Sequence, residues 1–196
     1  MSKRLFDILV AAIGILLLAP VLMLIGVWIK WDSSGPALYL QQRVGRHGRL
    51  FNIFKFRTMQ NAKTAGPQLT VGRDSRITRA GHFLRRYKLD ELPQLLNVLS
   101  GSMSLVGPRP EVPKYVASYP PELRALVLSV SPGITDWAAI EYKDENTLLA
   151  SSSDPERTYI EQVLPDKLDH YARYVRERTF WVDLRIIFRT LAVIGR

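Results

Sequence analysis

Two adjacent carboxylates, Asp90 and Glu91, stand in the stretch KLDELPQ at residues 88–94, within a basic part of the chain. Pro93 is tolerated only in the first turn of a helix, which places Asp90 near the helix N-cap. The free amide groups and the helix dipole there favour the ionised carboxylate, and nearby cations act in the same direction. We therefore expect Asp90 to be ionised at neutral pH, as a nucleophile, a metal ligand or simply a helix cap.

An arginine held between two prolines is the second feature of this kind, in the sequence GPRPE at residues 107–111. The prolines restrict the backbone, so that Arg109 is held at a reduced entropy cost. Guanidinium groups bind phosphates through paired hydrogen bonds, and Mg²⁺ takes one or two carboxylates together with phosphate oxygens. Carboxylates and arginines in one basic chain thus suit divalent-cation chemistry on a diphosphate. A rigid structural turn is the alternative interpretation.

Further cations stand in a predicted β-hairpin. Residues 38–44 and 50–58 predict two short strands, with a glycine-containing loop at residues 45–48 between them. Alternation along the second strand puts two phenylalanines on one face and Lys55 and Arg57 on the other. For Arg57, an ordinary solvent-exposed strand face is a sufficient explanation.

The element that must position these residues at a membrane is the N-terminal segment. Residues 8–29 carry no charge, and a helix needs ~20 residues to cross a bilayer core. Pro20 lies near the middle and should bend or break the helix. Lys3 and Lys30 put positive charge on both sides, which favours the cytoplasm for both ends. We therefore predict a Pro20-kinked, re-entrant membrane helix at residues 1–34 rather than a span, and the length of the run disfavours a cleaved signal peptide.

The remaining residues, 35–196, are predicted to form a catalytic domain with interfacial helices on the cytoplasmic face. The fold class is α+β and mainly helical, with a short β-hairpin and amphipathic helices at the membrane interface. Helices are predicted at residues 80–87, 91–99, 121–129, 156–178 and 180–194, and a mobile loop at residues 61–73. The last helix carries one apolar stripe, made of Phe180, Leu184, Ile187, Leu191 and Ile194. Such a helix can lie in a membrane interface or pack on a core.

Composition narrows the classes of partner. The 196 residues carry a formal net charge of +9, which favours nucleic acid, acidic lipids or phosphorylated substrates. Absence of cysteine excludes disulfides and thiolate metal sites, and the three histidines show no metal-ligand spacing. A soluble nucleic-acid-binding protein would not need the apolar run. The chain also has no recognisable nucleic-acid recognition motif. A non-catalytic, membrane-anchored module for anionic lipid or glycan explains the charge and the anchor, but not the acidic pair among arginines.

Several stretches of the chain resemble the monotopic phosphoglycosyl transferases, small enzymes that initiate bacterial glycoconjugate assembly. The stretches are KRLFD at residues 3–7, the apolar run with Pro20, FKFRTM at 54–59, LDELPQ at 89–94, MSLVGPRP at 103–110 and PGIT at 132–135. Their order and spacing match along essentially the whole chain. With no domain before the membrane segment, the chain resembles the small members that consist of the catalytic core alone.

The resemblance implies the transfer of a sugar 1-phosphate from a UDP-sugar to undecaprenyl phosphate with release of UMP. It implies that Asp90 is the nucleophile and forms a phosphosugar-aspartate intermediate, which predicts ping-pong kinetics. Glu91 would assist with protons or with the metal, and Lys55, Arg85 and Arg109 would hold phosphates. The implied cofactor is Mg²⁺, with Mn²⁺ as an alternative. Its implied ligand is Asp90, with Glu91 as a second candidate.

The resemblance also implies a location and a set of partners. The chain is expected in the bacterial inner (cytoplasmic) membrane, with UDP-sugar, undecaprenyl phosphate and membrane lipids as partners and no nucleic acid; a homodimer stays open. Ala19 stands where the family often has serine before the membrane proline. Asp136 and Trp137 follow Thr135 where some relatives carry glycine. The transferred sugar is therefore not carried over from the family.

Overall fold

The computed structural model describes residues 2–60, 74–142 and 145–194, and the loop predicted at residues 61–73 lies outside them. The described part is mainly helical, as predicted. Its helices are α1 (Lys3–Asp32), α2 (Arg79–Arg86), α3 (Gln94–Ser100), α4 (Pro113–Val116), α5 (Pro121–Val127), α6 (Trp137–Glu141), α7 (Glu145–Ala150), α8 (Pro155–Thr158), α9 (Leu164–Glu177) and α10 (Phe180–Ile194). Its strands are β1 (Leu38–Val44), β2 (Leu50–Phe56), β3 (Ser104–Val106) and β4 (Gly133–Thr135). Short 3₁₀ turns lie at Arg46–Gly48 and Leu89–Glu91, and a π-helical segment lies at Tyr159–Val163.

The predicted β-hairpin is confirmed. Strands β1 and β2 pair antiparallel, with Leu38 opposite Phe56 and Val44 opposite Leu50. The connection uses Gly48 at a φ of 77°, a left-handed conformation that glycine adopts without steric cost. The hairpin thus presents the end of β2 towards α2 and α3.

A second pair of strands is absent from the sequence-based prediction. Strands β3 and β4 run parallel, with Ser104 opposite Gly133. A Cβ added to Gly133 would lie 2.1 Å from the amide nitrogen of Gly107, so that only glycine allows this close approach of the two backbones. Because β3 leads directly into the proline-flanked turn, this contact locates Arg109.

Helix α1 is continuous over 30 residues and runs through Pro20. The predicted kink and re-entrant turn are therefore not confirmed. A proline removes one backbone hydrogen bond, and the turns on either side of it keep theirs. Among the described residues, α1 is the one helix long and apolar enough to cross a membrane. Its middle faces outward, with Leu16 and Leu17 76% and 71% exposed.

Both ends of α1 are bonded to the same folded part of the chain. Near the N-terminus, the Asp7 carboxylate accepts hydrogen bonds from the Ser104 hydroxyl at 2.7 Å and the Leu105 amide at 3.3 Å. At the other end, the Asp32 carboxylate accepts a hydrogen bond from the Ala80 amide at 3.0 Å. The helix is thus secured at both ends while its middle stays uncovered.

Buried apolar side chains form three groups, and α1 belongs to two of them. The largest group is built mainly from α4, α5 and α9 and includes Tyr115, Val116, Val127, Leu164 and Leu168. The second consists of Ala11, Ile53, Val98, Met103, Leu105, Val106, Tyr174 and Ile186. The third consists of Ile25, Ile29, Phe56 and Leu84. Both halves of α1, before and after Pro20, therefore take part in the core.

Helix α10 packs on the core through a different line of residues from the predicted stripe. Ile186 is fully buried, and Asp183 is buried as well, although it lies off the predicted apolar stripe. Asp183 accepts hydrogen bonds from Lys3 at 2.6 Å and from the Tyr174 hydroxyl at 2.8 Å, and these partners compensate for its burial. Much of the apolar face, including Leu191, remains exposed.

Candidate active site

The two adjacent carboxyls lie in the 3₁₀ turn Leu89–Glu91 between α2 and α3. Lys88 precedes this turn in a left-handed conformation, with φ 56° and ψ 20°, and reverses the chain after α2. The N-cap of α3 is Pro93, so Asp90 does not cap that helix. The predicted placement of Asp90 near the helix N-cap is therefore wrong, and of the three alternatives the capping role is excluded.

Glu91 accepts hydrogen bonds from two cations. Lys55 Nζ lies 2.9 Å from Glu91 Oε1. The Arg109 guanidinium holds both oxygens, with Nη2 2.5 Å from Oε1 and Nη1 3.3 Å from Oε2. Burial alone would raise the pKa of Glu91, but the charges of Arg109 and Lys55 overcome that effect and hold the pKa well below its ordinary value. Glu91 is thus a carboxylate with both oxygens engaged.

The two cations respond differently to this pairing. The Glu91 charge raises the pKa of Arg109 well above its ordinary value. Burial lowers the pKa of Lys55, although Glu91 opposes the change. Arg109 is therefore a permanent cation here, while the charge of Lys55 depends on its carboxylate partner.

Asp90 is buried, and its carboxyl accepts no hydrogen bond from any residue that the structure describes. Burial raises the pKa of Asp90, the Glu91 charge raises it further, and Lys55, Arg85 and Lys88 oppose both effects. The direction is opposite to the one predicted from a helix N-terminus among cations. The sequence pattern shows which charges are near but not that the carboxyl is desolvated.

The remaining predicted site residue, Arg85, approaches from α2. Its Nε donates a hydrogen bond to the Thr58 hydroxyl at 2.8 Å. Burial lowers the pKa of Arg85, and the Asp90 charge opposes this change. The predicted residues thus come together from β2, α2, the 3₁₀ turn and the turn after β3, with Arg109 joined to the acidic pair through Glu91.

Arg43 on β1 is a cation of this region that the sequence analysis did not identify. Its Nη1 donates a hydrogen bond to the Pro110 carbonyl at 3.0 Å and lies 3.5 Å from Glu111 Oε2. The Tyr159 hydroxyl donates to the other Glu111 oxygen at 2.7 Å. These contacts hold the turn that carries Arg109. The only sign of this contact in the sequence is Glu111, which stands in the proline-containing motif. Nothing in the sequence links Glu111 to β1.

The solvent-exposed face expected for Arg57 is wrong. Arg57 is 3% exposed, and its Nη2 donates hydrogen bonds to the Ser33 carbonyl at 2.6 Å and the Ser33 hydroxyl at 2.9 Å. Strand β2 ends at Phe56, so the alternation no longer applies at the next residue. Arg57 caps the C-terminal end of α1, where the helix dipole favours a cation.

Asp136, which departs from the family pattern, is buried beside the Arg109 turn. Its Oδ1 accepts a hydrogen bond from the Ala139 amide at 2.9 Å and caps α6. Burial raises the pKa of Asp136 to about 6, and the Arg109 charge is among the effects that oppose it. This segment therefore belongs to the surroundings of Arg109.

A metal ion fits Asp90 and not Glu91. Lys55 and Arg109 already occupy the Glu91 oxygens, whereas no residue that the structure describes bonds the oxygens of Asp90. Within the described residues, no group of three or more histidine, aspartate or glutamate side chains could form a protein cage for a metal. Mg²⁺ needs no such cage, because one or two carboxylates and substrate phosphate oxygens suffice.

Comparison with known proteins shows the family to which the chain belongs. The family model of bacterial sugar transferases matches residues 1–196. The chain is similar to UDP-N-acetylgalactosamine-undecaprenyl-phosphate N-acetylgalactosaminephosphotransferase of Aeromonas hydrophila, with 38% identity over 98% of this chain and 43% of that protein. It is similar to UDP-glucose:undecaprenyl-phosphate glucose-1-phosphate transferases of Escherichia coli (37% identity over 96% of this chain and 39% of that protein) and Caulobacter vibrioides (37% over 97% and 68%). The chain thus spans less than half of the first two relatives. The match over its whole length shows that the chain belongs to the bacterial sugar transferase family.

Proposed function

We propose that this chain transfers a sugar 1-phosphate from a UDP-sugar to undecaprenyl phosphate and releases UMP, as an initiating step of a bacterial glycan pathway. The names of the relatives support both substrate classes. The observation that carries the proposal is the contrast between two adjacent carboxyls. Glu91 is held by two cations, while the Asp90 oxygens beside them bond none of the residues in the described ranges. A free carboxylate next to phosphate-binding cations suits nucleophilic catalysis.

In the proposed first step, an Asp90 carboxylate oxygen attacks the phosphorus that carries the sugar. A bond forms between that oxygen and the phosphorus, and the bond from the phosphorus to the bridging oxygen of the diphosphate breaks. UMP leaves with the electron pair. Lys55, Arg85 and Arg109 bind and neutralise the phosphate oxygens, and this preorganised charge lowers the barrier.

In the proposed second step, a phosphate oxygen of the lipid attacks the same phosphorus. The bond between that phosphorus and the Asp90 oxygen breaks, which restores the carboxylate and leaves the sugar on a lipid diphosphate. Glu91 keeps Lys55 and Arg109 in place through both steps, since it already bonds both of them. Because the steps share one covalent intermediate, the kinetics are ping-pong.

Mg²⁺ is the proposed cofactor, with Asp90 as its protein ligand and Mn²⁺ able to replace it. When bound, the metal supplies positive charge to the diphosphate oxygens. The available oxygens of Asp90 and the lack of free oxygens on Glu91 support this choice of ligand.

We also propose that α1 lies with both ends on the cytoplasmic face of the inner membrane and its apolar middle in the bilayer. The bonds from Asp7 to Ser104 and from Asp32 to Ala80 support this topology, because they tie both ends to one folded part. That part also carries most of the basic residues, which favour the cytoplasm. The nucleotide sugar and the acceptor phosphate would then meet at the headgroup level.

UMP release tests the function. Purified protein with Mg²⁺, undecaprenyl phosphate and a panel of UDP-sugars should release UMP with at least one sugar, and Asp90→Asn should abolish the release. Without the acceptor, the wild type should release a burst of UMP and retain the phosphosugar on a peptide that contains Asp90, detectable by mass spectrometry. Full release by the Asp90→Asn variant would reject the nucleophile. No release from any sugar would favour a lipid-binding module.

A further inference from the structure

Three aromatic side chains form a continuous path over the surface from α1 to the acidic pair. The ring centroids of Trp28 and Phe83 are 5.4 Å apart, and those of Phe83 and Tyr87 are 4.8 Å apart. All three side chains of this aromatic path are partly exposed, at 38%, 46% and 42%. Tyr87 is followed directly by Lys88, two residues before Asp90. The path therefore connects the membrane helix with the proposed nucleophile.

Lys88 has a backbone conformation in which lysine is unfavourable. Its φ of 56° follows the C-cap of α2, where glycine is the usual residue. A side chain in this region is sterically less favourable than glycine. The turn geometry therefore does not explain the lysine. Its side chain is exposed and pairs with no carboxylate among the described residues, while its charge acts on Asp90.

The other cations of the site already have bonding partners, so the Lys88 ammonium is the candidate for the acceptor phosphate. Lys55 and Arg109 are both paired with Glu91, and Arg85 is bonded to Thr58. A phosphate monoester carries about −1.5 to −2 charges at neutral pH, and it must approach a phosphorus surrounded by anionic oxygens. An additional cation on the side where the lipid arrives would reduce that repulsion.

We propose that Lys88 and the aromatic path form the binding site for the acceptor lipid. Lys88 binds the acceptor phosphate, and Tyr87, Phe83 and Trp28 cover the first isoprene units as the chain passes to the apolar face of α1. This inference rests on the proposed function and assigns the acceptor to one side of Asp90. Partly exposed aromatic rings gain from burying an apolar chain, and the ammonium complements the phosphate at its end.

The Lys88→Gly variant distinguishes the role of the ammonium in binding from the effect of the backbone conformation on stability. The variant relieves the left-handed strain, so its melting temperature should equal or exceed that of the wild type. The KM for undecaprenyl phosphate should nevertheless rise by about tenfold, which corresponds to one lost charge-assisted hydrogen bond. Because the acceptor takes no part in the first step, the KM for the UDP-sugar and the amplitude of the UMP burst without acceptor should not change. Lys88→Arg should restore most of the acceptor affinity, and Arg173→Gln, at an exposed ion pair with Glu177, is the control.

Chain-length dependence tests the aromatic path. Phe83→Ala should raise the KM for undecaprenyl phosphate but not for dimethylallyl phosphate, whose single isoprene unit is too short to reach Phe83. If Lys88→Gly instead weakens binding to liposomes without acceptor by the same factor as it raises the acceptor KM, the patch is a general lipid contact and the inference is wrong.

The proposed function and the acceptor site are rejected by different outcomes. A wild-type protein that releases no UMP from any UDP-sugar rejects the proposed function and this inference together. A wild type that shows the UMP burst and turnover, with a Lys88→Gly variant of unchanged acceptor KM, rejects the acceptor site alone.

Discussion

Asp90 and Glu91 are neighbours in the sequence, yet their surroundings move their pKa values in opposite directions. Both are desolvated, which favours the neutral acid. Two bonded cations reverse the effect at Glu91, whereas no described residue bonds Asp90. A pair of like groups is thus divided into a fixed carboxylate that positions cations and an unsatisfied one that can react.

The unsatisfied carboxylate should reduce stability at neutral pH. The folded-state pKa of Asp90 is raised, so its contribution is favourable at low pH and is lost as the pH rises through that pKa. Asp90→Asn removes the buried charge and should raise the melting temperature at neutral pH, by an amount that disappears towards the ordinary pKa of aspartate. Thermal unfolding in detergent across pH measures this. Asp169→Asn, at an exposed position, is the control. An Asp90→Asn protein that is no more stable than the wild type at neutral pH contradicts the assignment.

Removal of the fixed carboxylate should have the opposite effect on stability. Glu91→Gln leaves Lys55 and Arg109 without their acidic partner, and breaking a buried pair in this way costs about 3 kcal/mol. Because the pKa of Glu91 is depressed, its stabilisation is complete above the ordinary pKa of glutamate and is lost as the pH falls through the folded-state pKa. Chemical denaturation at neutral pH measures the loss. A Glu91→Gln, Lys55→Met double variant should recover part of it, and additive losses would show that the two side chains do not interact.

Among the elements, those with a regular period were predictable, and those defined by a single contact were not. The hairpin follows from alternation along two strands, and α2 and α10 follow from helical spacing. Strands β3 and β4 have three residues each, too few to show a period. The predicted helix at residues 156–178 begins with α8 and contains the π-helical segment Tyr159–Val163, which directs the Tyr159 hydroxyl onto Glu111.

The β3–β4 contact gives a prediction about an element. In Gly133→Ala, the new Cβ would collide with the Gly107 backbone, so the strands must separate and Arg109 must move. A displacement of about 1 Å in a positioning group can cost ~100-fold in rate, and UMP release should fall by that order. Gly26→Ala is the control, since its Cβ would lie 3.9 Å from Ala37 Cβ, in ordinary contact. Wild-type turnover in Gly133→Ala would show that Arg109 does not depend on this contact.

For the whole molecule, the residues of the candidate site were identified from motifs. The contacts that hold and desolvate these residues were not. Asp90, Glu91 and Arg109 stand in short, specific stretches, so the chain alone points to them. Arg43 reaches the Pro110 carbonyl from a strand far away in the sequence, and the desolvation of Asp90 arises from packing of several elements. Neither has a local pattern, because both depend on how the complete fold closes.

The topology of the whole molecule can be tested with single cysteines, since the chain has none. A cysteine at Ser2 or Ser34 should react with a membrane-impermeant maleimide only from the cytoplasmic side, because both ends of α1 are bonded to the same folded part. Inverted vesicles and spheroplasts give the two accessibilities, and reagent added after permeabilisation is the control. Labelling of the two positions from opposite sides would establish a spanning helix instead.

The attachment of α1 at both ends has a consequence for how this protein can be made. Ala11, Ile25 and Ile29 complete interior packing, and Asp7 satisfies a serine and a backbone amide of β3. Deletion of the helix would leave two cavities in the interior and leave those polar groups without their hydrogen-bond partner. We therefore expect that no water-soluble fragment folds without it. With the proposed topology, insertion of α1 into lipid is a step of folding, and a copy synthesised away from a bilayer would not complete that step.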